Sequence, residues 1–185
     1  MPEPGLADKV SLLHDALAAA GIPHAFGGAL ALAYYAEPRV TVDIDVNVFV
    51  SSDRFADVAA VLGPLGVDTT AETRAVKRDG QVRLWWGRNP VDVFFSYDAV
   101  HDAMRDAART VPFGEQRIPI LAPEHLLVAK VAFNRAKDWL DIEQMLLAVP
   151  DIDRSEVDRW LDHLVGPHDA RRERLRLMKR ELLGD

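Results

Sequence analysis

At 185 residues, with 49% hydrophobic and 28% charged positions, the chain suits one domain with or without a helical appendage, and it is long enough to bury a sizeable core. It contains no cysteine, which excludes disulfide frameworks, thiolate catalysis and cysteine zinc sites. A formal charge of −7 argues against a generic nucleic-acid coat, because such binding rests on many cationic contacts to phosphates.

Residues 6–20 place Leu6, Val10, Leu13 and Leu17 at helical spacing, and the pattern stops at Gly21 with Pro23 beyond. The charged and polar Asp8, Lys9, His14 and Asp15 break any signal-peptide core there, and no later apolar run approaches the length of a membrane span. The expectation is a soluble, cytoplasmic protein with no membrane partner. HAFGG, residues 24–28, reads as a short strand entering a glycine turn, and residues 29–36 are rich in helix formers before the break at Glu37-Pro38.

RVTVDIDVNVFV, residues 39–50, alternates throughout, so the spacing predicts one strand with Val40, Val42, Ile44, Val46, Val48 and Val50 on one side and Thr41, Asp43, Asp45 and Asn47 on the other. A helix is expected at about residues 53–62, capped by Ser51 or Ser52 and closed by Gly63-Pro64. Residues 67–95 read as β structure, with Asp79-Gly80 as a two-residue hairpin turn and Val91, Val93 and Phe95 alternating with Asp92 and Phe94. A further β segment is expected within 110–121. From Pro123 onward the pattern is helical, with breaks at Pro150 and Gly166-Pro167. The expected organisation is a mixed core over 1–121 and a helical lobe over 122–185, joined as one compact unit.

Asp43 and Asp45 project together from that strand, roughly 7 Å apart at a rise of about 3.3 Å per residue, a spacing suited to holding divalent cations. A D-x-D pair is also what an ordinary solvated strand face would show, although Asp is depleted in strands. Asp92 is the lone acid of its own apolar strand, and beside the first it completes a three-carboxylate cluster. Three anions repel unless a cation neutralises them, and all-oxygen ligation with open positions suits magnesium bridging to substrate phosphates. Gly27 and Gly28 lie between a strand and a helix start, where free backbone N–H groups favour an anion.

In the second half, Lys130 is the only charge of LLVAKVAF, and Lys130, Asn134, Lys137, Asp138 and Asp141 fall on one stripe if the helix is continuous. Such a stripe also arises from surface pairs, Lys137 with Asp141 and Arg135 with Asp138, worth about 0.3–0.5 kcal/mol each. Lys77, Arg78, Arg83 and Arg88, and the run Arg171, Arg172, Arg174, Arg176, Lys179 and Arg180, leave room for local basic surfaces, the terminal run being in the ordinary reading a solvated helix face. His24 beside the glycines fits a satisfied structural histidine better than a nucleotide contact. The six histidines show no zinc spacing, and no hydrolase nucleophile motif occurs.

The order GG, then Arg39, Thr41, Asp43 and Asp45 as R-x-T-x-D-x-D, then residues 123–130 as P-E-x-L-x-x-x-K, then residues 135–142 as R-x-K-D-x-x-D-I, resembles the DNA polymerase β-like nucleotidyltransferase superfamily, and within it the AbiEii and MenT group of toxins. The resemblance covers roughly residues 24–148. It implies an α+β fold, a small mixed β-sheet core with flanking helices and a helical C-terminal lobe. It implies transfer of NMP from an NTP with release of pyrophosphate, in this group onto a tRNA 3′ end, with a cognate antitoxin as partner. Asp43 and Asp45 would then hold magnesium, or manganese in its place, with Asp92 as third ligand or base. Gly27, Gly28 and Lys130 would meet the triphosphate, with Arg39, Thr41, Arg135 and Lys137 as further nucleotide contacts and Asp138 and Asp141 as further catalytic acids. Position 29 is Ala where many members carry Ser or Thr, so one hydroxyl contact to phosphate is missing. Two other readings stay open: nucleotidyl transfer to an aminoglycoside or lincosamide, and a catalytically silent NTP-binding module.

Overall fold

The computed structural model describes residues 3–184. In chain order the elements are α1 Leu6–Ala19, β1 His24–Phe26, α2 Gly28–Leu32, β2 Ile44–Ser51, α3 Phe55–Leu62, α4 Thr73–Asp79, β3 Gln81–Trp86, β4 Asn89–Ser96, α5 Ala99–Asp106, β5 Arg109–Phe113, β6 Gln116–Ile120, α6 Pro123–Phe133, α7 Ala136–Ala148, α8 Arg154–Val165 and α9 Ala170–Leu183. This is an α+β fold on a six-stranded mixed sheet of order β3-β4-β2-β1-β6-β5. β2 pairs with β4 in parallel and with β1 antiparallel, and the β3–β4 and β5–β6 pairs are antiparallel hairpins.

The described chain divides into two compact units. One holds the sheet, with residues up to Leu30 and Val40–Leu121; the other holds Ala31–Arg39 with the described residues from Ala122 onward. The segment Ala31–Arg39, assigned to the core by its place in the sequence, therefore groups with the C-terminal helices. In the sheet unit, one face of β2 and β4 buries Ile44, Val46, Val48, Val91, Val93 and Phe95, and α1 and α3 contribute Val10, Leu13, Leu17, Phe55, Val58 and Leu62 to the core. The helical unit is built on α6, whose neighbours are α7, α8 and α9, and it buries Leu126, Leu127, Trp139, Ile142, Met145, Leu161 and Leu175. No helix of the described residues is long and apolar enough to cross a membrane.

Three local expectations are corrected. The strand expected over 39–50 begins only at Ile44, and Val40 and Val42 are 96% and 57% exposed. The reason is partner availability: the ladder with β4 starts at Ile44↔Val91, and upstream of it a side chain of the neighbouring hairpin, Asn89 Nδ2, bonds to the Val42 carbonyl. Asp79-Gly80 is not the hairpin turn. Residues 73–79 form α4, which Gly80 closes with a left-handed φ of 64°, and the hairpin turns at Gly87-Arg88. Lys9, fully buried on α1, grips both sides of that turn, donating to the Trp86 carbonyl at 2.8 Å and Asn89 Oδ1 at 2.7 Å while paired with Glu3. Finally, the helix expected to run through 130–141 breaks at Asn134, whose φ is 57°. Asn tolerates this conformation, and its Oδ1 accepts from Trp139 Nε1 at 2.7 Å, which stabilises the corner between α6 and α7.

Candidate active site

The parallel register of β2 and β4 sets Asp45 directly beside Asp92. Adjacent strands lie about 4.8 Å apart and register partners point to the same face, so the two carboxylates start from neighbouring positions. Asp43 sits one residue ahead of β2, held by a short turn in which Thr41 Oγ1 accepts from the Asp43 N–H at 3.1 Å. Thr41 thus orients Asp43 within the chain.

The acids meet a cation that the sequence by itself marks only as one candidate for a local basic surface. Arg83 lies opposite Asp92 in the β3–β4 ladder and clasps it with both arms of its guanidinium, Nε to Oδ1 and Nη2 to Oδ2, each at 2.7 Å. This fork is the main reason that Arg83 holds its proton more tightly than an ordinary arginine, and the charges of Asp43 and Asp45 add to the effect. One guanidinium therefore sits in the field of all three acids. The signal was present in the sequence but required the right turn: with the hairpin closing at Gly87-Arg88, position 83 must face position 92.

Among the described residues, no three acidic or histidine side chains already converge as a cage for one ion. A magnesium-type site needs only one or two carboxylates, with substrate phosphates and water completing six oxygens. Asp45 beside Asp92, with Asp43 immediately upstream, supplies that donor set, and the guanidinium among them stands in for the positive charge the cluster calls for. The residues present fit a divalent cation.

The glycine turn is fastened to the same strand. The Gly27 N–H donates to the Asp45 carbonyl at 2.9 Å, and Gly28 adopts a φ of 54° with its Cα against the Asp45 side chain, where an added Cβ would run into the carboxylate. Glycine is thus required at 28 on two counts, backbone conformation and space. α2 is only five residues long, and the Gly27 N–H expected to be free is spent on the Asp45 carbonyl. Gly28→Ala is expected to retain the fold but push Asp45 aside. A displacement of about 1 Å at a reacting centre is worth about 10²-fold in rate, which a nucleotide-incorporation assay would register. Unchanged incorporation would show that the close approach has no functional weight.

In the helical unit, Asp141 is 2% exposed and receives three donors: Arg39 Nε at 3.0 Å, Arg39 Nη2 at 3.1 Å and Lys130 Nζ at 2.6 Å. Burial, the largest single influence, works to raise the carboxyl, but hydrogen bonds from Arg39 and then Lys130 outweigh it and hold it below its usual range. Asp138 has a different task, closing the first turn of α7 by accepting from the Arg135 backbone N–H at 3.0 Å and its Nε at 2.7 Å. Lys137 is exposed, and Asp141 is engaged by Arg39 and Lys130 rather than by the Lys137 of the alternative surface-stripe reading. His24 is bonded to the Ile22 carbonyl and to His14, each at 2.9 Å.

The terminal basic run is extensively paired. Arg171 binds Asp169, Arg172 binds Asp162, Arg176 binds Glu173 and Lys179 lies 3.4 Å from Asp158, while Arg174 stacks over Trp139 at 4.2 Å.

Comparison with known proteins places this geometry. The solution structure of the antibiotic-resistance factor ANT(2'')-Ia aligns over 96% of this chain and 98% of its own, at 18% identity and a TM-score of 0.59. The lincomycin-bound lincosamide antibiotic adenylyltransferase LnuA aligns over 75% of this chain and 95% of its own, at 11% identity and a TM-score of 0.54. A putative nucleotidyltransferase from H. pylori covers 95% of this chain and 89% of its own, at 18% identity and a TM-score of 0.50. At such identities these likenesses speak for the fold. No curated protein matches the chain. Residues 11–184 match the family described as nucleotidyl transferase AbiEii toxin, type IV TA system, and the chain belongs to that family of nucleotidyltransferases.

Proposed function

We propose that the chain transfers an NMP from an NTP to the 3′ end of a tRNA, with release of pyrophosphate, as a toxin restrained by a cognate antitoxin. The observation that supports the catalytic part is the fastening of the glycine turn to Asp45, the acid that lies in register beside Asp92. Family membership supports the antitoxin partner, and the tRNA acceptor rests on the resemblance of the motif order to that toxin group.

In nucleotidyl transfer the protein does little covalent chemistry; it aligns the attacking hydroxyl with the departing pyrophosphate and offsets charge. Asp43 and Asp45 would hold magnesium or manganese, with Asp92 as third ligand or as the base that receives the acceptor's proton. Such an ion, when bound, supplies charge neutralisation along the triphosphate. The Gly28 backbone N–H would meet a phosphate oxygen, while Gly27, whose own N–H is given to the Asp45 carbonyl, would hold the turn in place for it. An ammonium carries three donors, so Lys130 bonded to Asp141 retains capacity for a phosphate oxygen. Asp138 and Asp141 serve as positioning residues, one for α7 and the other for Arg39 and Lys130.

A second reading, transfer to a cationic antibiotic, draws on the net charge of −7 and on the pairing of the α9 arginines, which leaves less bare cationic surface for RNA. Incubating the protein with each labelled NTP, magnesium and either total RNA or a panel of aminoglycosides and lincosamides separates the two. Label in a tRNA-sized band is the expected result. Label on drug alone overturns the tRNA assignment, and metal-dependent NTP binding without transfer to anything overturns the catalytic reading.

A further inference from the structure

Both carboxylate oxygens of Asp92 are committed to Arg83. A divalent cation ligated by Asp92 would have to share an oxygen with the guanidinium and lie against a like charge, so the two cations compete for one acid. The competitors are not equally anchored. Asp92 is the less exposed partner at 15%, whereas the Arg83 side chain is 52% exposed on β3, an edge strand. The arginine is therefore the member free to leave, and its planar fork matches phosphate as well as it matches carboxylate. A triphosphate arriving at the glycine turn offers that alternative partner.

We propose that Arg83 is the built-in counter-ion of the acidic trio and that it passes from Asp92 to a phosphate of the incoming nucleotide, so that metal and NTP bind as a coupled pair. The proposal rests on the metal-site reading above. Without nucleotide, the guanidinium satisfies Asp92 and lowers metal affinity. With nucleotide, Asp92 is released to the metal. By reciprocity, metal must then tighten nucleotide binding by the same factor, and couplings of this kind are typically about 5–150-fold. Arg83 acts in this way as a positioning residue for the transfer reaction, linking the loading of the metal to that of the nucleotide.

Calorimetric titration with manganese chloride tests the idea, first on the protein alone and then with a mixture of the four NTPs and no acceptor. In the unmodified protein, nucleotide should strengthen manganese binding by at least about 5-fold. Arg83→Met keeps length without charge; it should bind manganese alone at least about 5-fold more tightly, and the nucleotide enhancement should shrink towards unity. Arg83→Lys keeps charge but loses the fork; it should fall between the two, and it supplies the measurement if the methionine variant fails to fold. Unchanged or weaker manganese affinity in a folded Arg83 variant overturns the counter-ion proposal and leaves the metal site standing. Failure of the unmodified protein to bind manganese, with or without nucleotide, overturns the metal-site reading itself.

Discussion

Asp45→Ala is expected to lower NMP incorporation by about 10³-fold, equivalent to losing about 4 kcal/mol of transition-state stabilisation, while the protein stays folded. Asp45 stands where the elements of the site meet, beside Asp92 in register, against Gly28 and bonded through its carbonyl to Gly27. Alanine keeps the backbone bond and the strand register, so the ladder of β2 should persist. Removing one of three neighbouring negative charges also reduces repulsion, so the melting temperature should stay level or rise slightly. Incorporation of labelled nucleotide together with a thermal melt checks both halves. Near-unmodified activity in a folded variant would remove Asp45, and with it the metal assignment, from the mechanism.

The second large effect falls on stability. Asp141→Ala leaves Lys130, 5% exposed at its side chain, and the partly covered Arg39 without their shared anion. Breaking a buried pair by deleting one partner costs about 3–5 kcal/mol, and for a chain of this size that lowers the melting temperature by roughly 10 °C. The pH dependence adds a sharper criterion. The folded carboxyl is held below its ordinary value despite its burial, by Arg39 and Lys130. Its stabilisation is therefore complete above the unfolded pKa of about 3.9 and is lost as pH falls through the lower folded value. The difference in melting temperature between the original protein and Asp141→Ala should hold steady from about pH 7 to pH 5 and close below about pH 4. A gap of less than about 2 °C at pH 7 would show that the cluster contributes little.

The acids, the glycine turn and the order of elements were legible in the sequence because each depends on near neighbours. Alternation at i and i+2 places Asp92 opposite its flanking valines, Gly27-Gly28 announces a turn wherever it occurs, and Gly21, Pro123, Pro150 and Gly166-Pro167 mark helix boundaries through their own backbone preferences. Errors arose where two local signals competed. Asp79-Gly80 satisfies both a hairpin turn and a helix C-terminus; in the fold Gly80 closes α4, and the strands turn at Gly87-Arg88, where Lys9 bonds to Trp86 and Asn89 on either side. Residues 39–43 alternate as well as the strand that follows, yet they find no partner strand and remain outside the sheet.

By itself, then, the sequence determined the succession of strands and helices, the acidic pair at the head of β2, the single acid of β4 and the motif order whose resemblance implied the α+β class, since these are written in periodicity and in residues with narrow backbone choices. The tertiary structure decided which charges meet: Arg83 with Asp92 rather than a surface patch, and Arg39 with Asp141 across 102 positions rather than Lys137. The physical reason is that any of several cations satisfies a carboxylate equally well in the sequence. Strand register and helix corners alone bring one of them within hydrogen-bonding distance.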